Sequence, residues 1–366
     1  MCWTVAFVRR AQASMPRPVS REAATRLSVV VVTYDSARAV ADSLPPLCAQ
    51  LGPGDELVVV DNDSSDATVA VVRSLAPRAT VVETGANTGF AAGANAGASA
   101  AAGDLLVFLN PDATAGPDFA RAIRAPLEEG RGWSAWMGLV TAEGGRVVNT
   151  NGGIVHFTGI AWAGEAGAAA PGSLRGPREA AFLSGACLAI PRAEWERLGG
   201  FAETFFMYQE DVDLSLRLRL AGGRLGVEPS AVVDHGYEFA KGTEKWRLLE
   251  RNRWATIVRC YPAPLLLALA PALVATELAL LPVAAAGGWL PQKLAATGQT
   301  ARALPRLLRE RREVQAARRV SSAEFARWLT PDLDSEFLGR AARSRALRWG
   351  LRAYWRAVLR VLDSAR

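Results

Sequence analysis

From Leu27 onward the chain alternates between short apolar runs and longer segments of helical composition. Four β-branched runs end in turn-forming residues: "LSVVVVTY" at 27–34, "ELVVVD" at 56–61, "ATVVE" at 79–83 and "DLLVFLN" at 104–110. Continuous apolar runs are typical of parallel strands that are buried on both faces. The segments 37–51, 66–75 and 89–102 between them have helical composition. The alternation therefore predicts a doubly wound α/β sheet.

Each predicted strand ends in polar residues, and ligands bind at the carboxyl ends of the strands in such a sheet. One polar end is an ordinary turn, because Asp, Asn and Pro are common turn formers. Four such ends on one rim instead predict a binding site. They are Thr33-Tyr34-Asp35, Asp61-Asn62-Asp63, Glu83-Thr84 and Asn110-Pro111-Asp112.

The glycine-rich stretch 85–103 contains neither a P-loop nor a dinucleotide fingerprint. Residues 97–102 favour a helix that packs closely on the sheet. The Asn110-Pro111-Asp112 end suits a diphosphate site better, because Mg²⁺ and Mn²⁺ prefer carboxylate oxygen completed by phosphate and water. Asp112 is therefore a predicted ligand of Mg²⁺ or Mn²⁺.

The stretch "FFMYQEDVDLSLRLRLAGG" at 205–223 predicts a loop that enters a helix ending at the two glycines. Leu214, Leu218 and either Val212 or Leu216 form its predicted packing face. Asp213 and Arg217, one turn apart, form a predicted ion pair. Acids at a helix start complement the helix dipole, or one of them acts as a general base.

Several motifs, in order, resemble those of family 2 glycosyltransferases over about residues 27–260. They are "VVTYDS", "VVVDNDSSD", "NTGFAAGANAG", "FLNPDA", "FLSGACLAIPR", "GGFAETFFMYQEDVDLSLRLRLAGG" and "RNRW". The resemblance is greatest to the rhamnosyltransferase-like branch, whose metal motif reads Asn-Pro-Asp. It implies the GT-A fold and inverting transfer of a sugar from a nucleoside diphosphate, dTDP- or UDP-linked, to an acceptor hydroxyl.

The resemblance also implies roles for residues on the donor side. Thr33 and Tyr34 would contact the nucleoside, and Asp61 would accept a hydrogen bond from the base. Asn87 would line the donor pocket. The implied donor-binding set is Thr33, Tyr34, Asp35, Asp61, Asn87, Asn110 and Asp112. Asp35 departs from the family's usual Asn, and we expect it to cap the following helix.

On the acceptor side, the family places its general base at Asp211, with Glu210 orienting the acceptor or the base. A helix N-terminus would keep the Asp211 carboxylate anionic. Gly185 and Ala186 would form part of a small-residue wall near the acceptor. His235 either touches the metal or diphosphate, as in many members of the family, or is structural.

Charge is unevenly distributed along the chain, whose formal net charge is +6. Residues 292–366 hold 17 Lys and Arg against 7 Asp and Glu, which predicts contact with an anionic surface. The four cysteines have no paired spacing, which suggests a reducing compartment rather than disulfides or zinc. Residues 1–26 are interpreted as a flexible leader, with Met15 as an alternative start.

Residues 262–290 contain one charged residue, Glu277, and are long enough to span a bilayer. A single span would place the basic tail opposite a cytoplasmic catalytic domain, against the positive-inside rule. We expect Pro264, Pro271 and Pro282 to break the run into short pieces. The prediction is a re-entrant or interfacial helical hairpin at the cytoplasmic face of the plasma membrane.

The last predicted helix is amphipathic at 100° per residue. We expect its apolar side to lie on anionic lipid, with arginines among the headgroups. The alternative is a helix packed on its own domain. Nucleic acid is disfavoured as a partner, because base-reading motifs are missing. The apolar side holds Leu347, Leu351, Tyr354, Val358 and Leu362, and the basic side holds Arg348, Arg352, Arg356 and Arg360.

The predicted organisation is a leader at 1–26, a GT-A domain at 27–240, connecting and hydrophobic helices at 241–291 and a basic helical tail at 292–366. The acceptor would be lipid-linked or a polysaccharide of the cell envelope. A nucleotidyltransferase would need a basic, glycine-rich loop after the first strand, which "TYDSARAV" lacks. A non-catalytic sugar- or lipid-binding module would keep the fold and lose the acid pair.

Overall fold

A computed structural model describes residues 25–170, 176–236, 242–334 and 344–364. Most of the leader, with Met15 and Cys2, lies outside the described residues. The strands are β1 Leu27–Thr33, β2 Glu56–Asp61, β3 Thr80–Glu83, β4 Leu105–Leu109, β5 Ala113–Ala115, β6 Ala135–Ala142, β7 Val147–Thr150, β8 Gly153–Val155, β9 Ala161–Ala163, β10 Arg178–Glu179, β11 Cys187–Pro191 and β12 Leu225–His235.

Helices connect these strands and continue beyond the last one. They are α1 Ala37–Cys48, α2 Thr68–Leu75, α3 Gly89–Ala100, α4 Phe119–Glu128, α5 Arg192–Leu198, α6 Glu210–Leu220, α7 Glu244–Cys260, α8 Ala263–Ala286, α9 Leu290–Ala316, α10 Ser322–Ala326 and α11 Arg345–Ser364. A 3₁₀ turn covers Glu203–Phe205.

The large sheet has the strand order β10-β12-β6-β11-β4-β1-β2-β3. Its β4-β1-β2-β3 part is parallel, as the apolar runs predict. Strand β11 is antiparallel to both of its neighbours, β4 and β6, so the complete sheet is mixed. This arrangement confirms the predicted α/β class and brings the ends of β1, β2 and β4 to one rim.

Helix α3 packs very closely on this sheet, as predicted from the Gly and Ala content of its sequence. A Cβ atom on Gly97 would lie 2.4 Å from a methyl group of Val30. At Gly93, a Cβ would lie 2.8 Å from a methyl group of Val32. Glycine is therefore required where the helix touches the strand.

Helix α6 lies between two hydrophobic clusters. Leu214 and Leu218 belong to the core that covers the sheet. Val212 and Leu216 belong to a second cluster, shared with α7, α8, α10 and α11. The prediction of a single packing face was therefore incomplete, because α6 is buried on both sides.

Helix α8 corrects the prediction that prolines would break the apolar segment into short pieces. It runs for 24 residues through Pro271 and Pro282. Proline removes a backbone hydrogen bond, but its fixed φ lies in the helical range, so the remaining turns can continue. The helix ends only at Gly287 and Gly288, where Gly288 has a φ of +72°.

Helix α11 corrects the prediction that its apolar side lies on lipid. Trp355, Val358 and Leu362 are buried in the second cluster, and the hydroxyl of Tyr354 donates to the carbonyl of Ala268 on α8. An amphipathic pattern shows that a helix has a partner, but the fold decides which one. Here the partner is the protein itself.

Candidate active site

The ends of β1 and β2 are joined through the Asp61 carboxylate. Its Oδ1 accepts hydrogen bonds from Thr33 Oγ1 at 3.1 Å and Ser64 Oγ at 2.6 Å, and its Oδ2 accepts from the Ser64 amide at 3.0 Å. Thr33 and Asp61 are both buried, whereas Tyr34 is exposed on the rim. A carboxylate has about four acceptor positions, so capacity remains for one more donor. Asp61 as the acceptor from a nucleobase stays a prediction.

Asp35 does not cap helix α1, contrary to expectation. It has a φ of +46°, and its Oδ1 accepts from the Ser65 amide at 2.7 Å. The amide of Ala37, in the first turn of α1, donates instead to Asp66 Oδ2 at 3.0 Å. The left-handed turn directs the Asp35 carboxylate to the loop after β2, where backbone and hydroxyl donors surround it.

The loop between β3 and α3 is fixed by Asn62, a residue of the predicted rim to which the sequence assigned no role of its own. Asn62 Nδ2 donates to the Gly89 carbonyl at 2.9 Å, and its Oδ1 accepts from Thr88 Oγ1 at 2.9 Å. Asn87 Oδ1 accepts from the Gly89 amide at 3.1 Å. Asn87 is exposed at the start of α3, beside the ends of the parallel strands.

Beyond β4, three polar side chains come together at the Asn-Pro-Asp end. His235 Nε2 lies 3.0 Å from Asp112 Oδ1 and 3.2 Å from Asn110 Nδ2. The pairing of β5 with β12 causes this, because His235 lies opposite Ala113, the residue after Asp112. A contact between residues more than 120 positions apart thus joins His235 to the predicted metal ligand.

This corner could hold a divalent ion whose remaining ligands come from the substrate and from water. Among the described residues, no group of three or more His, Cys, Asp and Glu side chains is arranged to hold a metal. Asp112 is 41% exposed at its side chain, while His235 is buried beside it. One carboxylate and one imidazole leave coordination positions for phosphate oxygens and water, as Mg²⁺ and Mn²⁺ sites commonly do.

The acid pair lies at the start of α6. Asp211 Oδ2 accepts from the Gly185 amide at 3.0 Å, and Oδ1 accepts from the Val212 amide at 2.8 Å. Glu210 is buried, and its Oε2 has no hydrogen-bond partner among the described residues. Neither acid forms an ion pair with a described Arg or Lys.

Burial raises the pKa of Asp211, although backbone donors, beginning with the Gly185 amide, oppose the shift. Burial also raises the pKa of Glu210 well above its ordinary value, and the charge of Asp211 adds to this effect. The expectation that the helix end keeps Asp211 anionic is therefore incomplete. The site makes both carboxyl groups better proton acceptors.

Two hydrogen bonds connect the proposed metal corner around Asp112 to the acid pair. The Asn110 amide donates to the Ala186 carbonyl at 3.3 Å, and Gly185, the preceding residue, holds Asp211. Asp112 and Asp211 therefore belong to the same rim, on either side of the small residues at the start of β11.

The loop before the acid pair is strained and is held by α7. Phe206, Tyr208 and Gln209 all have positive φ, between +65° and +68°, which non-glycine residues rarely adopt and which costs about 1–3 kcal/mol each. The two N–H groups on Nδ2 of the buried Asn252 are shared among three carbonyls of this loop, which lie 2.7–3.0 Å from the nitrogen. Asn252 was not predicted as a site residue, although it lies in the quoted "RNRW" motif. The three carbonyls belong to Phe205, Met207 and Tyr208.

Comparisons with known proteins identify the family and the fold. The model of "Glycosyl transferase family 2" matches residues 28–176, and that of "Glycosyl transferase family group 2" matches residues 171–300. An N-acetylglucosaminyl-diphospho-decaprenol L-rhamnosyltransferase of Mycobacterium tuberculosis is 30% identical over 257 residues, which cover 63% of this chain and 83% of the relative. The chain belongs to glycosyltransferase family 2. It is a glycosyltransferase of the rhamnosyltransferase-like type.

Two further comparisons extend this assignment. Rhamnosyltransferase WbbL of Escherichia coli is 33% identical over 73 residues, or 20% of this glycosyltransferase and 26% of WbbL. The crystal structure of GalNAc-T7 with UDP, GalNAc and Mn²⁺ superposes with a TM-score of 0.53 at 16% identity. The superposition covers 66% of this chain and about half, 49%, of GalNAc-T7. The fold is GT-A, as the resemblance implied.

Among the described residues, one helix of the glycosyltransferase is long and apolar enough to cross a membrane. This helix is α8, and most of its apolar stretch is not buried inside the protein.

Proposed function

We propose that this glycosyltransferase moves rhamnose or another deoxysugar from a dTDP- or UDP-linked donor to a hydroxyl of a lipid-linked or polysaccharide acceptor. The names of the two relatives support the sugar, and that of the mycobacterial relative supports a lipid-diphosphate acceptor. The product would serve assembly of the cell envelope.

In the proposed mechanism, Asp211 accepts the proton of the acceptor hydroxyl as its oxygen attacks the anomeric carbon. The bond between that carbon and the nucleoside diphosphate breaks on the opposite side, so the configuration inverts. Glu210 orients the acceptor or the base. Asp112 and His235 would hold a divalent ion, which supplies positive charge to the diphosphate. Tyr34 and Asn87 line the donor side of the same rim.

One observation carries this proposal: the hydrogen bond from the Gly185 amide to Asp211 at 3.0 Å. It holds the base against the strand that borders Asn110 and the metal corner. The raised pKa of Asp211, caused mainly by burial, suits a carboxylate that must take up a proton.

We further propose that the enzyme is attached to the cytoplasmic face of the membrane without crossing it. Leu265, Leu269 and Leu273 on one side of α8 are buried in the second cluster. Glu277 of α8 forms ion pairs with Arg253 and Lys293. A transmembrane α8 would have to give up this packing, whereas a helix lying in the interface keeps it.

The test measures sugar transfer and donor hydrolysis with a panel of nucleotide sugars and Mg²⁺, comparing the unmodified enzyme with Asp211→Asn. We expect the substitution to lower the transfer rate by about 10²- to 10⁴-fold, the usual contribution of a general base. Asp118→Asn, which alters an exposed carboxylate in front of α4, is the control and should keep full activity.

Unchanged transfer by Asp211→Asn would exclude Asp211 as the base. Donor binding, measured by calorimetry, should survive the substitution, because Asp211 is assigned to the acceptor. A chain that binds nucleotide sugars but transfers none under any condition would instead be a sugar-binding module.

A further inference from the structure

We propose that a cavity between α8 and α9 binds the phosphate headgroup of an anionic phospholipid. This inference rests on the proposed membrane attachment and adds a specific lipid site to it. The cavity has a volume of about 440 Å³ and lies where the first turn of α8 meets the last turns of α9. Its lining includes Ala263, Pro264, Leu308, Arg311, Arg312 and Arg318.

The three arginines give the cavity a positive charge that the described protein does not neutralise. Arg311, Arg312 and Arg318 form no ion pair with a described carboxylate, whereas nearby Arg259 pairs with both Asp213 and Glu310. Arg311 Nη1 donates to the carbonyls of Val258 and Tyr261, both at 2.6 Å. Its guanidinium is therefore held in place while other N–H groups stay available for an anion.

An exposed apolar stripe of α8 leads into this cavity. With 3.6 residues per turn, Ala263 lies within about 60° of four later residues around the helix axis. Leu267 is 78% exposed and Leu278 is 63% exposed, although both are leucines. The opposite side of α8 is the buried one. The four residues of the stripe are Leu267, Val274, Leu278 and Leu281.

Helix α9 extends the same surface. Leu304 and Leu308 are both exposed and lie within about 40° of each other on α9, and Arg312 continues this line one turn beyond Leu308. Leucines followed by arginines match the depth profile of a bilayer, in which acyl chains give way to phosphates.

Two acids of this region point elsewhere. Glu277, the one charged residue of α8, is directed to Arg253 and Lys293. Glu310 of α9 pairs with Arg259 and Arg306. The apolar stripe is therefore free of acidic charge, and an anionic headgroup would meet no carboxylate from these two residues.

The cavity is separate from the catalytic rim. The amide of Val320, close to Arg318, donates to the carbonyl of Leu220 at the last residue of α6. Asp211 is the second residue of the same helix, about 14 Å from Leu220 along an axis with a 1.5 Å rise per residue. A phosphate in the cavity is thus distinct from the diphosphate of the donor.

The test measures binding of the full-length enzyme to phosphatidylcholine vesicles with and without phosphatidylglycerol. The variant R312Q/R318Q removes two cavity charges and leaves Arg311, which supports the backbone, intact. The control R78Q/R121Q removes two exposed arginines from the sheet domain and changes the net charge equally. We expect the cavity variant to lose about tenfold or more of its preference for anionic vesicles, and the control less than twofold.

Two results would overturn the proposal. Equal losses in both variants would mean that net charge, rather than the cavity, governs binding. Stabilisation by inorganic phosphate as large as that by a short-chain phosphatidylglycerol would identify a free-phosphate site instead of a lipid site.

Catalysis is tested separately. We expect R312Q/R318Q to keep its transfer rate in detergent solution, because the cavity is remote from Asp211. Loss of vesicle preference in an active enzyme supports the lipid site, and it does so whatever Asp211→Asn shows about the base.

Discussion

Three acids in the first turn of α6 have very different surroundings. Asp213 is fully buried, and Arg217 and Arg259 bind it at 2.7 and 2.8 Å. Asp211 has backbone donors only, and Glu210 Oε2 has no partner among the described residues. The paired acid ties helices together, while the other two have carboxyl groups that can exchange protons.

The same difference separates the helical region from the catalytic rim. Between α7, α8 and α9, Glu250 and the partly exposed Glu277 form a cluster with the buried Arg253 and Lys293, so two negative charges meet two positive ones. At the rim, the acid pair has no such compensation. The acids that stabilise the fold are paired with Arg or Lys. The acids proposed to act on substrates have no such partner among the described residues.

The largest expected effect comes from Asp213→Asn. Removing this carboxylate leaves two buried guanidinium groups without their shared partner, which should lower the free energy of unfolding by about 3–5 kcal/mol. Asp211→Asn, two residues away, should change it by less than about 1 kcal/mol. Urea denaturation followed by circular dichroism measures both. Similar losses in the two variants would contradict the division between paired and unpaired acids.

A smaller loss is expected for Glu277→Gln. Lys293 and Arg253 keep Glu250 as a partner, and Glu277 is partly exposed, so the cost should be about 2 kcal/mol. Glu313→Gln, an exposed acid on α9, serves as the control and should be close to neutral. Thermal unfolding in detergent measures the difference. A neutral Glu277→Gln would show that the cluster does not hold α8 on the protein.

The smallest expected effect requires no mutation. A change of pH should distinguish Asp211 from Asp213, because their pKa values are shifted in opposite directions. Burial raises the pKa of Asp211, so transfer should decline at a pH above the ordinary aspartate value of about 3.9. Burial opposes ionisation of Asp213 too, but Arg259 and Arg217 outweigh it and lower its pKa. On acidification we therefore expect the transfer rate to fall before the circular dichroism signal changes.

Asp213 and Glu210 should make the stability of the fold depend on pH in opposite directions. The contribution of Asp213 is present above its unfolded pKa and is lost as the pH falls through its lowered pKa in the fold. Glu210, whose pKa is raised, contributes below its unfolded value and loses that contribution as the pH rises. In Glu210→Gln the transfer rate should still decline at low pH, because we assign that decline to protonation of Asp211. Unfolding that coincides with the loss of activity would contradict this separation.

Much of the fold could be predicted from local sequence. The β-branched runs and the residues that end them predicted β1 to β4, since strands buried on both faces have a distinctive composition. Spacing predicted the Asp213–Arg217 pair, because residues four apart share one side of a helix. Three assignments failed where a local rule depends on its neighbours. Asp35 bonds to a loop rather than a helix end, prolines did not interrupt α8, and the apolar side of α11 packs on the protein rather than on lipid.

By itself, the sequence determined which chemical groups the protein has and which segments form strands and helices, because propensity and periodicity act over a few residues. Only the tertiary structure decided which groups meet. His235 reaches Asp112 through the β5–β12 pairing, and α11 turns its apolar side to α8. These contacts join residues distant in the chain, and the free energy that selects them comes from packing and pairing over the whole molecule.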